Sequence, residues 1–254
     1  MSLTYRLRGY PPPLVTIYIS GIGYAHQARR LEDKTNNFLI TKILEGLRRK
    51  RVKLSDVRAP VTLDHLPRHL QALQKVCTSN YEVCLFSSAF TLAFFALLRI
   101  GEIASDNKSD TGPHVICYDD ISFSNKNEMY LRIRCSKADQ HGKNTLIISE
   151  QNGSESDICP VERVKQFLVM RYSGPTCSLP VHVHFDGSNL TRYQFNSVLL
   201  KTLQFCQNIV RSHSFRIGGA SELARRGVTE SEIKRLGRWN SKAYSRYIRL
   251  SSLE

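Results

Sequence analysis

Between Tyr81 and Ala104 the chain is almost continuously apolar, and this stretch limits the architecture more than any other part of the sequence. Its densest portion, Ala89 to Ile100, has the length of a buried core helix and falls short of the roughly 18–20 residues that span a bilayer. It lies far from the N-terminus and carries no secretory flanks. Near its C-terminal end stand Arg99 and Glu102, and a charge beside a core is costly unless it has a partner or a task. With 254 residues, 41% hydrophobic and 23% charged, the chain is long enough for one large domain or two small ones. The balance is that of a soluble globular protein, which excludes a membrane-spanning or a disordered chain.

Charge narrows the partner. Thirty-six Lys and Arg against 22 Asp and Glu leave a formal charge of +14, which points to a polyanion. The excess is concentrated: residues 1–58 hold twelve basic against four acidic residues, and residues 211–254 ten against four. The run Arg48, Arg49, Lys50, Arg51 and Lys53 in the first region, with Arg238 and Lys242 in the second, are the candidate DNA contacts. The run also satisfies a nuclear-targeting pattern by itself. Seven scattered cysteines with no C-x-x-C pair argue against a disulfide framework and for a reducing, intracellular compartment. His65 with His69, and His182 with His184, have ligand-like spacing but lack an obvious third partner, so no metal and no other cofactor is expected.

Periodicity predicts helices over Leu14–Arg30, Asn37–Arg51, Leu63–Val76 and Tyr81–Ala104, with Asp56–Thr62 as linker around Pro60. Val115–Phe123, Met129–Cys135 and Thr145–Ser149 are rich in β-branched and aromatic residues and predict a three-stranded antiparallel meander. Helices return at Val161–Tyr172, Arg192–Cys206, Ser214–Arg226, Glu230–Leu236 and Lys242–Leu250. The class is therefore α+β, mainly helical, with a small sheet.

The C-terminal block HSFRIGGASELARRGVTESEIKRLGRWNSKAYSRYIRL is the most specific segment. It holds H-x-x-R at His213 and Arg216, Gly237 shortly before Trp239, and Tyr247 in a Y-I-R context. ALLRIGEIA surrounds Arg99 and Glu102, and KADQHGK begins at Lys137 in the turn after a strand. In this order the blocks resemble the catalytic domain of the tyrosine recombinases, the phage integrase family. CPVERVKQF and DGSNLTRYQF further resemble Crypton-type eukaryotic transposon recombinases. The resemblance implies a catalytic domain over residues 58–254, preceded over residues 1–57 by the remnant of a helical core-binding domain that clamps DNA. It implies Arg99, Lys137, His213, Arg216, Trp239 and Tyr247 as catalytic residues, with Glu102 in support. The implied reaction is attack by Tyr247 on a scissile phosphate, a 3′-phosphotyrosyl intermediate, and rejoining without ATP or metal. The working assembly is four protomers on two DNA duplexes, formed from a monomer in isolation.

The residue types fit that chemistry independently of the family. Arginine grips phosphate oxygens bidentately, a role that suits Arg99 and Arg216. His213, one helical turn from Arg216, can face the same phosphate as donor or general base. Trp239 stands where many members have histidine; its indole donates a hydrogen bond but takes no proton. Lys137 is the candidate general acid for the leaving 5′ oxygen, with Lys143 as competitor. Tyr244 competes with Tyr247, three residues apart on the expected helix. Two other readings share the fold: a domesticated DNA-binding protein without strand exchange, and a relaxing enzyme like the type IB topoisomerases. Localisation follows the host: nuclear in a eukaryote.

Overall fold

The computed structural model describes residues 12–50, 58–109, 111–124, 127–134, 144–149, 157–171, 179–203 and 210–250. The chain divides into two compact units, Met1–Asp56 and Val57–Glu254. In the first, helices α1 (Pro12–Ala28) and α2 (Phe38–Lys50) are joined through a 3-10 turn at Lys34–Asn36. Asp33 starts that turn, its carboxylate accepting from the Thr35 N–H at 2.9 Å and the Thr35 hydroxyl at 2.6 Å. Arg48 and Arg49 stand exposed at the end of α2, whereas Arg51 and Lys53 and the side chain of Lys50 lie outside the described residues.

The second unit runs α3 (His65–Val76), α4 (Asn80–Phe95), α5 (Ile100–Ile103), β1 (Ile121–Phe123), β2 (Glu128–Ile133), β3 (Asn144–Ser149), α6 (Pro160–Met170), α7 (Arg192–Thr202), α8 (Ser212–Arg225) and α9 (Glu230–Gly237). A closing 3-10 turn covers Lys242–Arg246. Helix α4 begins on a reciprocal cap: the Ser79 hydroxyl accepts from the Glu82 N–H, and the Glu82 carboxylate accepts from the Thr78 N–H. Its body is apolar all round, as a helix at the centre of a bundle must be. Leu85, Ala89, Phe90 and Leu92 have no exposed surface. Phe90 meets Phe195 of α7 and Phe215 of α8 at centroid separations of 5.0 and 5.1 Å. Among the described residues no helix is long and apolar enough to cross a membrane.

The sheet is antiparallel in the order β1-β2-β3, with six-residue β2 and β3 forming its body and β1 a three-residue edge. Ile121 pairs Leu131, and Leu131 pairs Leu146. Met129, Leu131, Ile133, Leu146 and Ile148 are buried on one face, the period-2 pattern of a half-covered sheet. The strand expected over Val115–Phe123 is shorter than its β-branched content suggests. Asp120 explains why: its buried carboxylate accepts from the Cys117 N–H at 2.9 Å, closing a 3-10 turn at Tyr118–Asp120, and from Nε of Arg132 and Arg134 at 2.9 and 2.6 Å.

The linker expectation also changes. Val61 is buried and donates its N–H to the Ser214 carbonyl at 3.0 Å, so this end of the segment is stitched to α8. Buried His69 lies 2.9 Å from Thr202 Oγ1 and buried His182 3.1 Å from Ser88 Oγ. Burial holds both imidazoles neutral, lowering His69 to about 4 and His182 to about 3.

Candidate active site

The helix expected through Ala104 stops at Phe95, because Leu97 turns into the left-handed region at φ 48°. The chain then runs extended to Arg99, which caps the one-turn helix α5. The Arg99 N–H donates to Glu102 Oε2 at 2.8 Å, and its Nη1 donates to Oε1 at 3.0 Å. The Glu102 side chain is 3% exposed and that of Arg99 31%, so the carboxylate sits in the wall while the guanidinium reaches the surface. The break therefore changes the meaning of Arg99, from a charge at a helix end to a side chain presented by a cap.

Arg216 comes from α8 and is buried. Its Nη1 donates to the Leu97 carbonyl and its Nη2 to the Gly237 carbonyl. The guanidinium carbon lies 4.3 Å from the Trp239 ring centroid and 5.5 Å from that of Tyr247. Burial first, then the charges of Arg99 and Arg238, pull its pKa down to about 9, which leaves it a cation at neutral pH. Its buried Nε–H has no acceptor among the described residues, and a buried donor of that kind costs about 1–3 kcal/mol until it meets one.

Tyr247 follows the closing 3-10 turn, where a continuous helix through Leu250 was expected. Its hydroxyl lies 2.8 Å from His213 Nε2, and its ring packs 4.8 Å from Trp239. Ser221 of α8 secures this tail: its Oγ lies 3.1 Å from the Tyr247 carbonyl and accepts the Arg249 N–H at 2.8 Å. Tyr244 and Tyr247 do not share a face. Tyr244 is buried against α9 with Lys234 4.5 Å from its ring centroid. A hydrogen bond to Glu230, then burial, then the charge of Glu230 push its pKa up. A phenol held in its protonated form is the poorer nucleophile.

Five of the six candidate catalytic residues thus converge: Arg99, His213, Arg216, Trp239 and Tyr247. Lys137 lies outside the described residues, as does Lys143. Lys242 is exposed, as a DNA contact requires. Arg238 is corrected. Its side chain is 1% exposed and its Nη2 donates to Glu102 Oε2 at 2.6 Å, so its charge is spent inside the protein rather than on a polyanion. Sequence reasoning missed this inward role, the Leu97 carbonyl and Ser221. The available signal was Glu102 in an apolar block, a carboxylate whose lone pairs a single arginine at i−3 does not all satisfy.

No protein-family model and no curated protein matches the chain. Solved structures do. The Tn1549 transposon integrase in complex with circular intermediate DNA aligns over 97% of this chain and 78% of its own, at 11% identity and a TM-score of 0.57. The XerA recombinase aligns over 92% and 79%, at 15% identity and a TM-score of 0.54. The XerH site-specific recombinase, in a post-cleavage complex with palindromic difH substrate, aligns over 76% of this chain, which spans only 50% of the XerH chain, at 15% identity and a TM-score of 0.52. The chain therefore has a tyrosine-recombinase-like fold: mainly helical α+β with a small antiparallel sheet.

Proposed function

We propose that the protein is a site-specific DNA recombinase that cuts and rejoins strands through Tyr247. One observation carries the reading: the Tyr247 hydroxyl stands 2.8 Å from His213 Nε2, in a wall that also holds the guanidiniums of Arg99 and Arg216. His213 accepts the phenolic proton as the Tyr247 oxygen forms its bond to phosphorus. The 5′ oxygen leaves with its electron pair and takes a proton from Lys137. A 5′ hydroxyl from another strand reverses the step, so one phosphodiester replaces another of similar energy and the chemistry asks for neither ATP nor metal. Arg99 and the free Nε–H of Arg216 neutralise the oxygens that gain charge in the transition state; loss of one such donor costs about 10²–10³ in rate.

The partner is double-stranded DNA, bound by a monomer and exchanged in a tetramer on two duplexes. The first unit acts as a core-binding segment, with Arg48 and Arg49 on phosphates. The element is a Crypton-type transposon and the compartment the nucleus, on the wording of the sequence and its basic run. The test is a nicked suicide duplex that traps the covalent adduct. Wild-type protein and Tyr244→Phe should form it and Tyr247→Phe should not, with DNA affinity unchanged. Adduct formation by Tyr247→Phe sinks the assignment of the nucleophile, and its absence in wild type favours a domesticated DNA-binding protein.

A further inference from the structure

Arg238 has the most polar contacts of any buried cation in the described site, and the reaction as written does not use it. It caps α9 in the left-handed region, φ 55°, where glycine or asparagine is the ordinary choice. Its side chain then runs inward. Nη2 donates to Glu102 Oε2 at 2.6 Å and to the Leu97 carbonyl at 3.3 Å, while Nη1 donates to the Leu236 carbonyl at 3.1 Å. Glu102 is thereby shared: Oε2 accepts from Arg238 Nη2 and from the Arg99 N–H, and Oε1 accepts from Arg99 Nη1. The Leu97 carbonyl is shared too, accepting from both Arg238 and Arg216.

We propose that Arg238 is a positioning residue for the phosphate-binding arginines, acting on Arg99 through Glu102 and on Arg216 through the Leu97 carbonyl. The inference rests on the recombinase reading. Both arginines must be set before the phosphate arrives, since preorganised charge is what stabilises a transition state at no cost of rearrangement. Arg99 is one-third exposed and long, and among the described residues its guanidinium is held by Glu102. The Arg99 N–H secures Glu102 Oε2 by a single hydrogen bond, about which the carboxylate could still turn. Arg238, clamped by carbonyls on one side, removes that freedom on the other. A planar fork is needed to hold a carboxylate and two carbonyls together, and lysine provides a single point charge instead.

The experiment measures single-turnover adduct formation on two suicide duplexes, one with the natural scissile phosphate and one with a neutral methylphosphonate there. Arg238→Met should slow cleavage of the phosphate about 10²-fold and Arg238→Lys by a smaller factor, with half-saturating DNA concentration within about twofold of wild type in both. On the methylphosphonate, which is neutral before attack and places one oxyanion rather than two before the arginines in the transition state, both variants should be slowed less than on the phosphate and stay within a few-fold of wild type. Equal slowing on both duplexes would mark a merely structural role and overturn the proposal. Should Arg238→Met fail to fold, Arg238→Lys decides: cleavage of the phosphate at the wild-type rate overturns it. Wild-type protein that forms no adduct on either duplex would overturn the recombinase reading and this inference with it.

Discussion

Gly237→Ala adds one methyl group where the structure has no room for it. A β carbon at position 237 would stand 1.8 Å from Trp239 Cζ3 and 2.0 Å from Cε3, against the roughly 3.5–4 Å of an ordinary carbon contact. The indole must retreat by about 1.5–2 Å. Two effects compete. Alanine at the end of α9 gains up to about 1 kcal/mol in helix propensity over glycine. Overpacking costs about 1–3 kcal/mol, and an indole that leaves the buried Arg216 guanidinium, now 4.3 Å away, forfeits a cation–π contact of about 2 kcal/mol. The overlap wins, and the variant should be less stable by about 2–4 kcal/mol.

Trp239 is the one tryptophan of the chain, so its fluorescence reports the displacement whatever the protein does. Emission should shift to longer wavelength in Gly237→Ala, and urea unfolding should give the loss of stability. Trp239→Ala removes the obstacle, so the double variant should be no less stable than Trp239→Ala alone; the coupling between the two substitutions should be at least about 1 kcal/mol. Unchanged emission, or two strictly additive stability losses, would refute the claim that Gly237 exists to seat the indole against Arg216 and Tyr247.

Further outcomes follow from other contacts. His69 is held neutral at a pKa of about 4 by burial, below its value of about 6.5 in the unfolded chain. The unfolded state therefore binds the proton first. The share of His69 in the loss of stability as pH drops from about 6.5 towards 4 is about 3 kcal/mol at most, and His69→Gln should make the urea-midpoint profile less steep over that window, with His182, lowered to about 3, carrying the remaining slope. Ser221→Ala removes the hydrogen bond from the Arg249 N–H, worth about 0.5–1.5 kcal/mol, read as faster amide exchange at Arg249 and slower adduct formation. DNA binding should be steeply salt-dependent, the log–log slope shrinking by about 0.9 for each phosphate contact removed. Titration of Arg48→Ala and Lys242→Ala at several salt concentrations measures this, and unchanged slopes would exclude those side chains from phosphate contact.

The legible parts of the molecule were those with strong local causes. The apolar run around Phe90 demanded a buried helix, and the β-branched and aromatic content from Met129 onward demanded a strand. His213 and Arg216 converge because helical spacing puts them one turn apart. What stayed hidden depends on contacts between distant residues. Nothing around Leu97 announces a left-handed residue; tertiary carbonyl contacts from Arg216 and Arg238 hold it there. The shortening of β1 follows from Asp120 finding arginines on the neighbouring strand. Arg238 was read outward because an arginine in a basic segment is normally solvated, and only its partner at position 102 reverses that.

Leu97 and Gly219 also constrain how such a sequence can drift. A β carbon on Gly219 would come 2.6 Å from Leu97 Cδ2 and 2.3 Å from the Phe94 carbonyl oxygen. Any larger residue at 219 therefore evicts the leucine. Glycine at 97 would relax the backbone at φ 48°, yet it would leave an unfilled hole beside α8, and emptying a buried leucine costs about 2–5 kcal/mol. Gly219 is thus closed to change by the Phe94 backbone as well as by the leucine, and Leu97 is closed to change by the space that glycine leaves for it. On the function proposed above, descendants that lost strand exchange and survived as DNA-binding proteins should first shed Arg99 or Tyr247, whose loss leaves the core intact, and hold the Leu97–Gly219 pair long afterwards.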